Sequence, residues 1–181
     1  FYVVRHPLTE FNVQGITQGW ADSPLTPQGI EMANKLGEFL KDKNITKIFS
    51  SDLGRCIQTS EIISKHLGIG ITPASELREQ NFGKFNGVHQ NIRNKKEFDK
   101  NDYSAVPPGG ESFFQMQKRV LNYIKNKLLE NKDDILLLVT HEGCFRGILS
   151  DALNVGPDSN KCKTTQLTMH KARYILHSMK P

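Results

Sequence analysis

Short apolar segments along the chain predict the strands of a β-sheet. Segments 1–4 and 135–139 are apolar without alternation, a pattern typical of strands covered on both faces. A shorter strand is predicted at 47–50, and 71–77 is expected to be extended. The segments that indicate a closing strand or hairpin are 165–169 and 174–175.

Apolar residues at helical spacing predict four helices between these strands. Thr26, followed by proline, suits the start of one helix, and Asp52 suits the cap of a second, which ends near Gly68. Ser112 suits the cap of a third helix, and a fourth runs from about 144 to 153. The residues expected to face the core are Ile30, Ala33, Leu36 and Leu40 in the first helix, Cys56, Ile57, Ile62, Ile63 and Leu67 in the second, and Phe113, Met116, Val120, Ile124 and Leu128 in the third.

The order of these elements is βαβα, then a polar and partly helical excursion at about 80–110, then αβα and a closing β. Alternation of this kind predicts an α/β fold, a three-layer sandwich with a mostly parallel central sheet and helices on both faces. A chain of 181 residues is long enough for one core, so we expect a single domain over 1–181.

Polar side chains follow the predicted strands at the points where ligands bind in parallel sheets. Arg5 and His6 come after the first strand, and Arg55 lies one turn into the helix after the second. His141 follows the central strand, and Glu79 lies near the end of the extended segment. If the strands are parallel, these five residues meet at one rim of the sheet.

This set of residue types suits phosphoryl chemistry. Arginine guanidinium groups bind phosphoryl oxygens at two points, and a neutral histidine nitrogen can form a covalent bond to phosphorus. A carboxyl group can protonate the leaving oxygen and later deprotonate water. Each of these residues alone is commonly a solvated or hydrogen-bonded polar group, so the hypothesis depends on their joint placement.

Other site classes find little support. The chain has no GxxxxGK[ST], GxGxxG, HExxH or GxSxG sequence, and its six histidines lack the spacing of metal ligands, so no metal or cofactor is expected. Ser50 and Ser51 are conceivable nucleophiles without a base beside them in sequence. A net charge of +5 suits either anionic ligands or a lysine-rich surface, and no aromatic pattern favours nucleic acid.

Cysteine usage and hydropathy bear on location. Cys56, Cys144 and Cys162 are odd in number and widely spaced, which favours a reducing, cytoplasmic environment over a disulfide framework. The longest aliphatic run is far short of a membrane span, and no signal peptide is recognisable, so no membrane partner is expected. The chain begins inside a predicted strand, and we expect a few residues to precede Phe1.

Several short motifs resemble those of the histidine phosphatase superfamily, the phosphoglycerate-mutase-like group, and they occur in the order of that family over nearly the whole chain. The residues that carry the resemblance are Arg5-His6-Pro7-Leu8-Thr9-Glu10-Phe11-Asn12 for RHGETxWN, Thr17-Gln18-Gly19-Trp20 through Asp22-Ser23-Pro24-Leu25-Thr26 for QGxxDxPLT, Ser50-Ser51-Asp52-Leu53 with Arg55 and Gln58-Thr59 for SSDLxRxxQT, Leu77-Arg78-Glu79 with Phe82-Gly83 and Asn86-Gly87 for LREx(x)FGxxxG, Pro108-Gly109-Gly110-Glu111-Ser112 for PGGES, and Val139-Thr140-His141 for VTH.

The resemblance implies a role for each matching residue. His6 corresponds to the nucleophile that becomes phosphohistidine, and Glu79 to the proton donor and acceptor. The residues that correspond to ligands of the phosphoryl group are Arg5, Asn12, Arg55 and His141, with Gln18 near the pocket. Neither a metal nor an organic cofactor is implied, and a small phosphorylated substrate is expected. We expect the excursion at about 80–110 to determine which substrate is bound.

Three functions remain open at this point: a phosphatase, a phosphoglycerate mutase and a non-catalytic domain. The short chain and the segment Asn81-Phe82-Gly83-Lys84-Phe85 favour the phosphatase branch over a phosphoglycerate mutase, in which a second hydroxyl rather than water accepts the phosphoryl group. Pro7 and Leu8 depart from the signature, which admits weakened activity or a non-catalytic domain that binds phosphate. Glu142 stands where glycine is frequent, and its carboxylate is expected to repel an anionic substrate or select a basic one.

Overall fold

Four parallel strands form the central sheet of the computed structural model, which describes residues 1–92, 98–99, 101–160 and 162. The strands lie in the spatial order β1-β4-β2-β3, so β4 occupies an interior position and is buried at every residue. Their bounds are Tyr2–Arg5 for β1, Lys47–Ser51 for β2, Ile71–Ala74 for β3 and Leu136–Thr140 for β4.

Helices cover both faces of this sheet. Their bounds are Glu10–Val13 for α1, Pro27–Leu40 for α2, Gly54–Leu67 for α3, Phe113–Glu130 for α4 and Glu142–Ala152 for α5. Leu137 and Val139 of β4 pack with α2 and α3, whereas Leu136 and Leu138 pack with α4 and α5. Because alternate strand residues point to opposite faces, both faces of β4 are in the core, and the predicted three-layer α/β sandwich is confirmed.

The predicted helix signals act as expected at three ends. The Thr26 side chain accepts the Gly29 N–H at the start of α2, next to a proline in the first turn. Ser112 and Gln115 form a reciprocal capping box at the start of α4. Gly68 ends α3 in the left-handed region, at φ 69°, where a side chain is strained.

The loop after β1 is fastened to the start of α2, and this fixes the backbone next to His6. The Leu8 carbonyl accepts the Thr26 N–H at 3.0 Å. Gly29 approaches that same carbonyl so closely that a Cβ atom there would lie 2.1 Å from the oxygen. The loop therefore depends on a residue without a side chain at the first turn of α2.

Two sequence predictions about the helices are wrong. Asp52 does not cap α3, because Leu53 occupies the cap position and the Asp52 carboxylate instead accepts two bonds of 2.6 Å from Arg78. Ile30 is 38% exposed rather than buried, because α2 packs through a narrower face of small residues, Ala33 and Gly37 among them. Close helix approach, and not apolar bulk alone, decides which face is buried.

Element ends differ from the sequence-based bounds by a few residues. The extended segment stops at Ala74 and is followed by a 3₁₀ turn at Ser75–Leu77. The fourth strand is shifted by one residue, and α5 begins at Glu142 instead of 144. Within the excursion, the described part contains the 3₁₀ helix Gly83–Phe85. The predictions for 165–169 and 174–175 lie outside the described residues.

Candidate active site

A cavity of about 280 Å³ opens at the carboxyl ends of β1 and β4. Every predicted site residue except His141 lines it. Those residues are Arg5, His6, Asn12, Gln18, Arg55 and Glu79. The sheet order explains this convergence, since β1 and β4 are neighbours and the helix after β2 begins at the same edge.

His6 is held at the end of β1 with a defined arrangement of ring protons. Its Nδ1 lies 2.9 Å from the Pro7 carbonyl, which can only accept, so Nδ1 carries the proton. Its Nε2 lies 3.3 Å from Nε of Arg55, which can only donate, so Nε2 presents a lone pair. The ring is therefore a neutral imidazole in which Nε2 carries the lone pair. The backbone carbonyl of Pro7, and not its side chain, fixes this state.

Arg55 reaches His6 from the first turn of α3 and is only 1% exposed. Its NH1 group donates to the Ala21 carbonyl and to the Asp22 carboxylate, and its NH2 group donates to the Gly19 carbonyl at 2.7 Å. A buried guanidinium requires such partners, because an unpaired charge in the interior is strongly destabilising. The 19–22 loop thus holds Arg55 in a fixed orientation beside His6.

His141 is fully buried next to His6, with the two ring centroids 5.3 Å apart. Its Nε2 lies 2.8 Å from the hydroxyl of Ser51 and 3.5 Å from the thiol sulfur of Cys56. The strands β1 and β4 bring the two histidines together as predicted. In this arrangement, however, His141 is not among the residues that line the cavity.

Burial and neighbouring cations keep both histidines neutral. Desolvation is the main reason that the pKa of His6 lies well below the usual histidine value, and Arg55 and Arg5 lower it further. The pKa of His141 is lowered in the same way, by desolvation first and then by Arg55. Each ring therefore remains an imidazole at neutral pH, and a phosphoryl anion that approaches His6 meets cations on the arginines alone.

Arg5 lies at a shallower position in the same cavity. Its NH1 group forms an ion pair of 2.8 Å with Glu142, the first residue of α5. Its Nε is buried and has no hydrogen-bond partner in the described part of the chain. Buried polar groups are normally paired, so this donor is available to a ligand in the cavity.

Glu79 faces the cavity from the loop that follows β3. One carboxylate oxygen accepts the backbone N–H of Gln80 at 2.9 Å, and the other accepts that of Gly143, in the first turn of α5, at 3.1 Å. A Cβ atom at Gly143 would lie 2.3 Å from the first oxygen, so a side chain at this position would displace the Glu79 carboxylate from its place beside α5. Two N–H donors thus orient the carboxyl group.

The backbone around Glu79 is held by Arg119, which was not among the site residues predicted from the sequence. Arg119 of α4 donates to the backbone carbonyls of Arg78 and Glu79, and it pairs with the Glu111 carboxylate at 2.6 Å. The indole N–H of Trp20 donates to the Glu79 carbonyl at 2.9 Å. Glu111 belongs to the PGGES-like motif, but nothing in the helical pattern of α4 distinguishes Arg119 from a solvated residue.

Asn12 and Gln18 lie on the side of the cavity formed by α1 and the loop after it. The Thr9 hydroxyl lies 2.9 Å from the side-chain oxygen of Asn12 and 3.1 Å from that of Gln18. The Asn12 oxygen also accepts the Thr9 backbone N–H in the capping box of α1. With their oxygens turned to Thr9, both amides retain NH₂ donors for an anion.

Further residues line the cavity, and of these only Glu142 was singled out in the sequence for its effect on a substrate. They are Ile16, Thr17, Gly19, Gln80, Phe82, Gln90, Phe98, Asp102, Tyr103, Phe113, Glu142, Gly143 and Arg146. Many belong to the excursion, which has little periodic signal and was expected only to influence specificity. Among the residues that the structure describes, no group of three or more histidine, cysteine, aspartate or glutamate side chains is arranged to hold a metal ion.

None of the helices within the described ranges is long and apolar enough to cross a bilayer.

Stability should fall with acidification because of the two buried histidines. In the unfolded chain each accepts a proton near pH 6.5, whereas the folded protein resists protonation until the pH is much lower. The stabilisation is therefore complete above about pH 6.5 and is lost below it, by up to about 1.4 kcal/mol per pH unit for each histidine. The free energy of unfolding is measured by urea denaturation for the wild type and His6→Asn between about pH 7 and pH 5. It should decrease less steeply with falling pH in the variant. Parallel curves would show that His6 is not held neutral.

Comparisons with known proteins agree with the fold and show the family. The family model described as the histidine phosphatase superfamily (branch 1) matches residues 1–179. A broad-specificity phosphatase of Saccharomyces cerevisiae is 33% identical over 156 residues, which cover 82% of this chain and 67% of the relative. A probable phosphoglycerate mutase of Proteus mirabilis, GpmB, is 34% identical over 160 residues, which cover 85% of this chain and 74% of that protein.

Solved structures show the same architecture. Bacillus stearothermophilus YhfR superposes with a TM-score of 0.81 at 29% identity, and the match covers 87% of this chain and 81% of that one. A putative alpha-ribazole-5'-P phosphatase from Escherichia coli superposes with a TM-score of 0.78 at 25% identity, with the same coverage of both chains. The family model and the two relatives that are 33% and 34% identical each cover more than two thirds of this chain. The chain is therefore a member of the histidine phosphatase superfamily.

Proposed function

We propose that this protein hydrolyses small phosphomonoesters through a phosphohistidine formed on His6. The observation that carries the proposal is the state of the His6 ring, in which Nδ1–H donates to the Pro7 carbonyl and Nε2 keeps its lone pair beside Arg55. A neutral, oriented imidazole is the form of histidine that attacks phosphorus.

In the first step, the Arg55 Nε–H gives up its hydrogen bond to Nε2 of His6, and the freed lone pair attacks the phosphorus atom as the bond to the ester oxygen breaks. Arg55 lies against Nε2, and the unpartnered Nε of Arg5 is available to the equatorial oxygens. Fixed guanidinium groups stabilise the charge that spreads over those oxygens in the transition state. The amides of Asn12 and Gln18 add neutral donors to the same cavity.

The leaving oxygen needs a proton, and Glu79 is a carboxyl group of the cavity whose two oxygens are each held by a backbone donor. In its acid form Glu79 gives that proton to the departing alcohol. Water then attacks the phosphohistidine, Glu79 takes its proton, and the bond between phosphorus and Nε2 breaks to release inorganic phosphate. His6 and Glu79 return to their starting states, so all atoms and charges balance.

His141 supports this reaction from behind His6. Its ring contacts the His6 ring and is neutral, so it adds no competing cation. Its proposed role as a direct phosphoryl ligand requires Nε2 to exchange its contact with the Ser51 hydroxyl for one with the substrate. The family resemblance supports that role.

Water as the acceptor distinguishes hydrolysis from mutase chemistry. Relatives named as a phosphatase and as a probable phosphoglycerate mutase both match this chain, so phosphoryl transfer between hydroxyl groups is the alternative. The proposal further includes metal-independent turnover in the cytoplasm, with every step assigned to a protein side chain. Release of free phosphate and interconversion of phosphoglycerates, measured side by side in the presence of a chelator, separate the two reactions.

Replacement of His6 should abolish the hydrolysis of an aryl phosphate. His6→Ala removes the nucleophile, and we expect kcat to fall by at least about a thousandfold. The measurement is phosphate release from p-nitrophenyl phosphate. His66→Ala, which removes a histidine on the far side of α3 beside Glu38, serves as the matched control and should retain its activity. Comparable activity in His6→Ala and the wild type would overturn the assignment.

Replacement of Glu79 should affect poor leaving groups most. Glu79→Gln removes the acid, and kcat/KM for an alkyl phosphate should fall by about a hundredfold or more, because an alkoxide is a poor leaving group without a proton. For p-nitrophenyl phosphate, which needs little protonation, kcat/KM should change much less. Glu61→Gln, an exposed carboxylate of α3, is the control. An equal loss for both substrates would assign Glu79 a structural role instead.

A further inference from the structure

The outer part of the cavity carries carboxylates that the proposed chemistry does not use. The deeper residues His6 and Arg55 are almost completely buried, whereas the Glu142 side chain is 42% exposed at the rim. Asp102 lines the same cavity and is exposed. A substrate that places its phosphoryl group against His6 must direct its leaving group past these two anions.

Glu142 is coupled to the phosphoryl site through Arg5. One nitrogen of the Arg5 guanidinium is bound to the Glu142 carboxylate at 2.8 Å, while its buried Nε has no partner in the described part of the chain. Arg5 therefore has donors for a phosphoryl oxygen without having to release Glu142. If a phosphoryl group binds Arg5 in this way, the Glu142 carboxylate stays on the same guanidinium at the rim of the cavity.

The rest of the rim adds negative charge. The Ser104 hydroxyl and backbone N–H both donate to the Asp102 carboxylate, and these bonds lower the pKa of Asp102 and keep it ionised. Arg146 is the cation on this side. Its NH2 group donates to the Tyr103 hydroxyl and the Pro157 carbonyl, while its buried Nε has no partner in the described part of the chain. A second anion on the substrate would thus meet two carboxylates and one partly occupied guanidinium.

We propose that Glu142 makes the pocket select phosphomonoesters whose leaving group is cationic near the ester oxygen and reject those that carry a second anion there. This inference rests on the proposed binding of the phosphoryl group at His6 and Arg5. It assigns to Glu142 a role in specificity. Esters with an adjacent ammonium group are preferred substrates, and esters with an adjacent carboxylate, the phosphoglycerates among them, are poor ones.

Three two-carbon phosphomonoesters test this selectivity: phosphoethanolamine with an ammonium group, ethyl phosphate without a further charge, and phosphoglycolate with a carboxylate. In the wild type, kcat/KM should decrease in that order. In Glu142→Gln, the ratio of kcat/KM for phosphoethanolamine to kcat/KM for phosphoglycolate should fall by about tenfold or more. The variant lacks the carboxylate that attracts the ammonium group of the first substrate and repels the carboxylate of the second. Glu142→Asp, which keeps the charge, should preserve the order, and Glu61→Gln controls for the change in net charge.

The outcomes separate this inference from the proposed function. An unchanged ratio in Glu142→Gln, or a wild-type preference for phosphoglycolate, overturns the role of Glu142. If the wild type does not hydrolyse p-nitrophenyl phosphate, the proposed function fails, and the same three esters are then compared by calorimetric binding. If the affinities of the wild type follow the same order and differ less in Glu142→Gln, the charge selection is supported. Equal affinities for the three esters would contradict it.

Discussion

The hydrogen bonds on the two ring nitrogens of His6 are the interactions on which the site depends. A backbone carbonyl accepts the hydrogen bond from Nδ1, and a guanidinium donates one to Nε2. The proton is therefore held on Nδ1 and the lone pair on Nε2. Arg55 keeps its orientation because the 19–22 loop accepts its other donors. The positive charge of Arg55 therefore has two effects. It lowers the pKa of His6, and it lies beside the proposed position of the phosphoryl group.

Much of this arrangement follows from features that are local in the sequence. Apolar strands followed directly by polar residues predicted that His6, Arg55 and His141 would meet at one sheet edge, and parallel pairing of β1, β4 and β2 makes them do so. The capping signals at Thr26 and Ser112 also acted as expected, because a cap involves only residues within one turn of each other.

What could not be predicted depends on distant partners. Asp52 was expected to cap a helix, yet Arg78, 26 residues later, takes its carboxylate with two bonds. Arg119 occupies a polar helix position like many others, and only the folded chain brings it to the carbonyls around Glu79. The sequence marked Glu142 as unusual, but its partner Arg5 became apparent only once β1 and α5 lay side by side. Long-range polar pairing leaves no periodic trace in a single sequence.

The protonation state of the His6 imidazole is measured directly by ¹⁵N NMR of the histidine rings. Resonances of His6 are assigned by their loss in His6→Asn. At about pH 6.5, where an ordinary histidine is half protonated, the account predicts a neutral His6 ring with Nδ1 protonated and Nε2 unprotonated. A half-protonated imidazolium at that pH, or a neutral ring with the proton on Nε2, would contradict it.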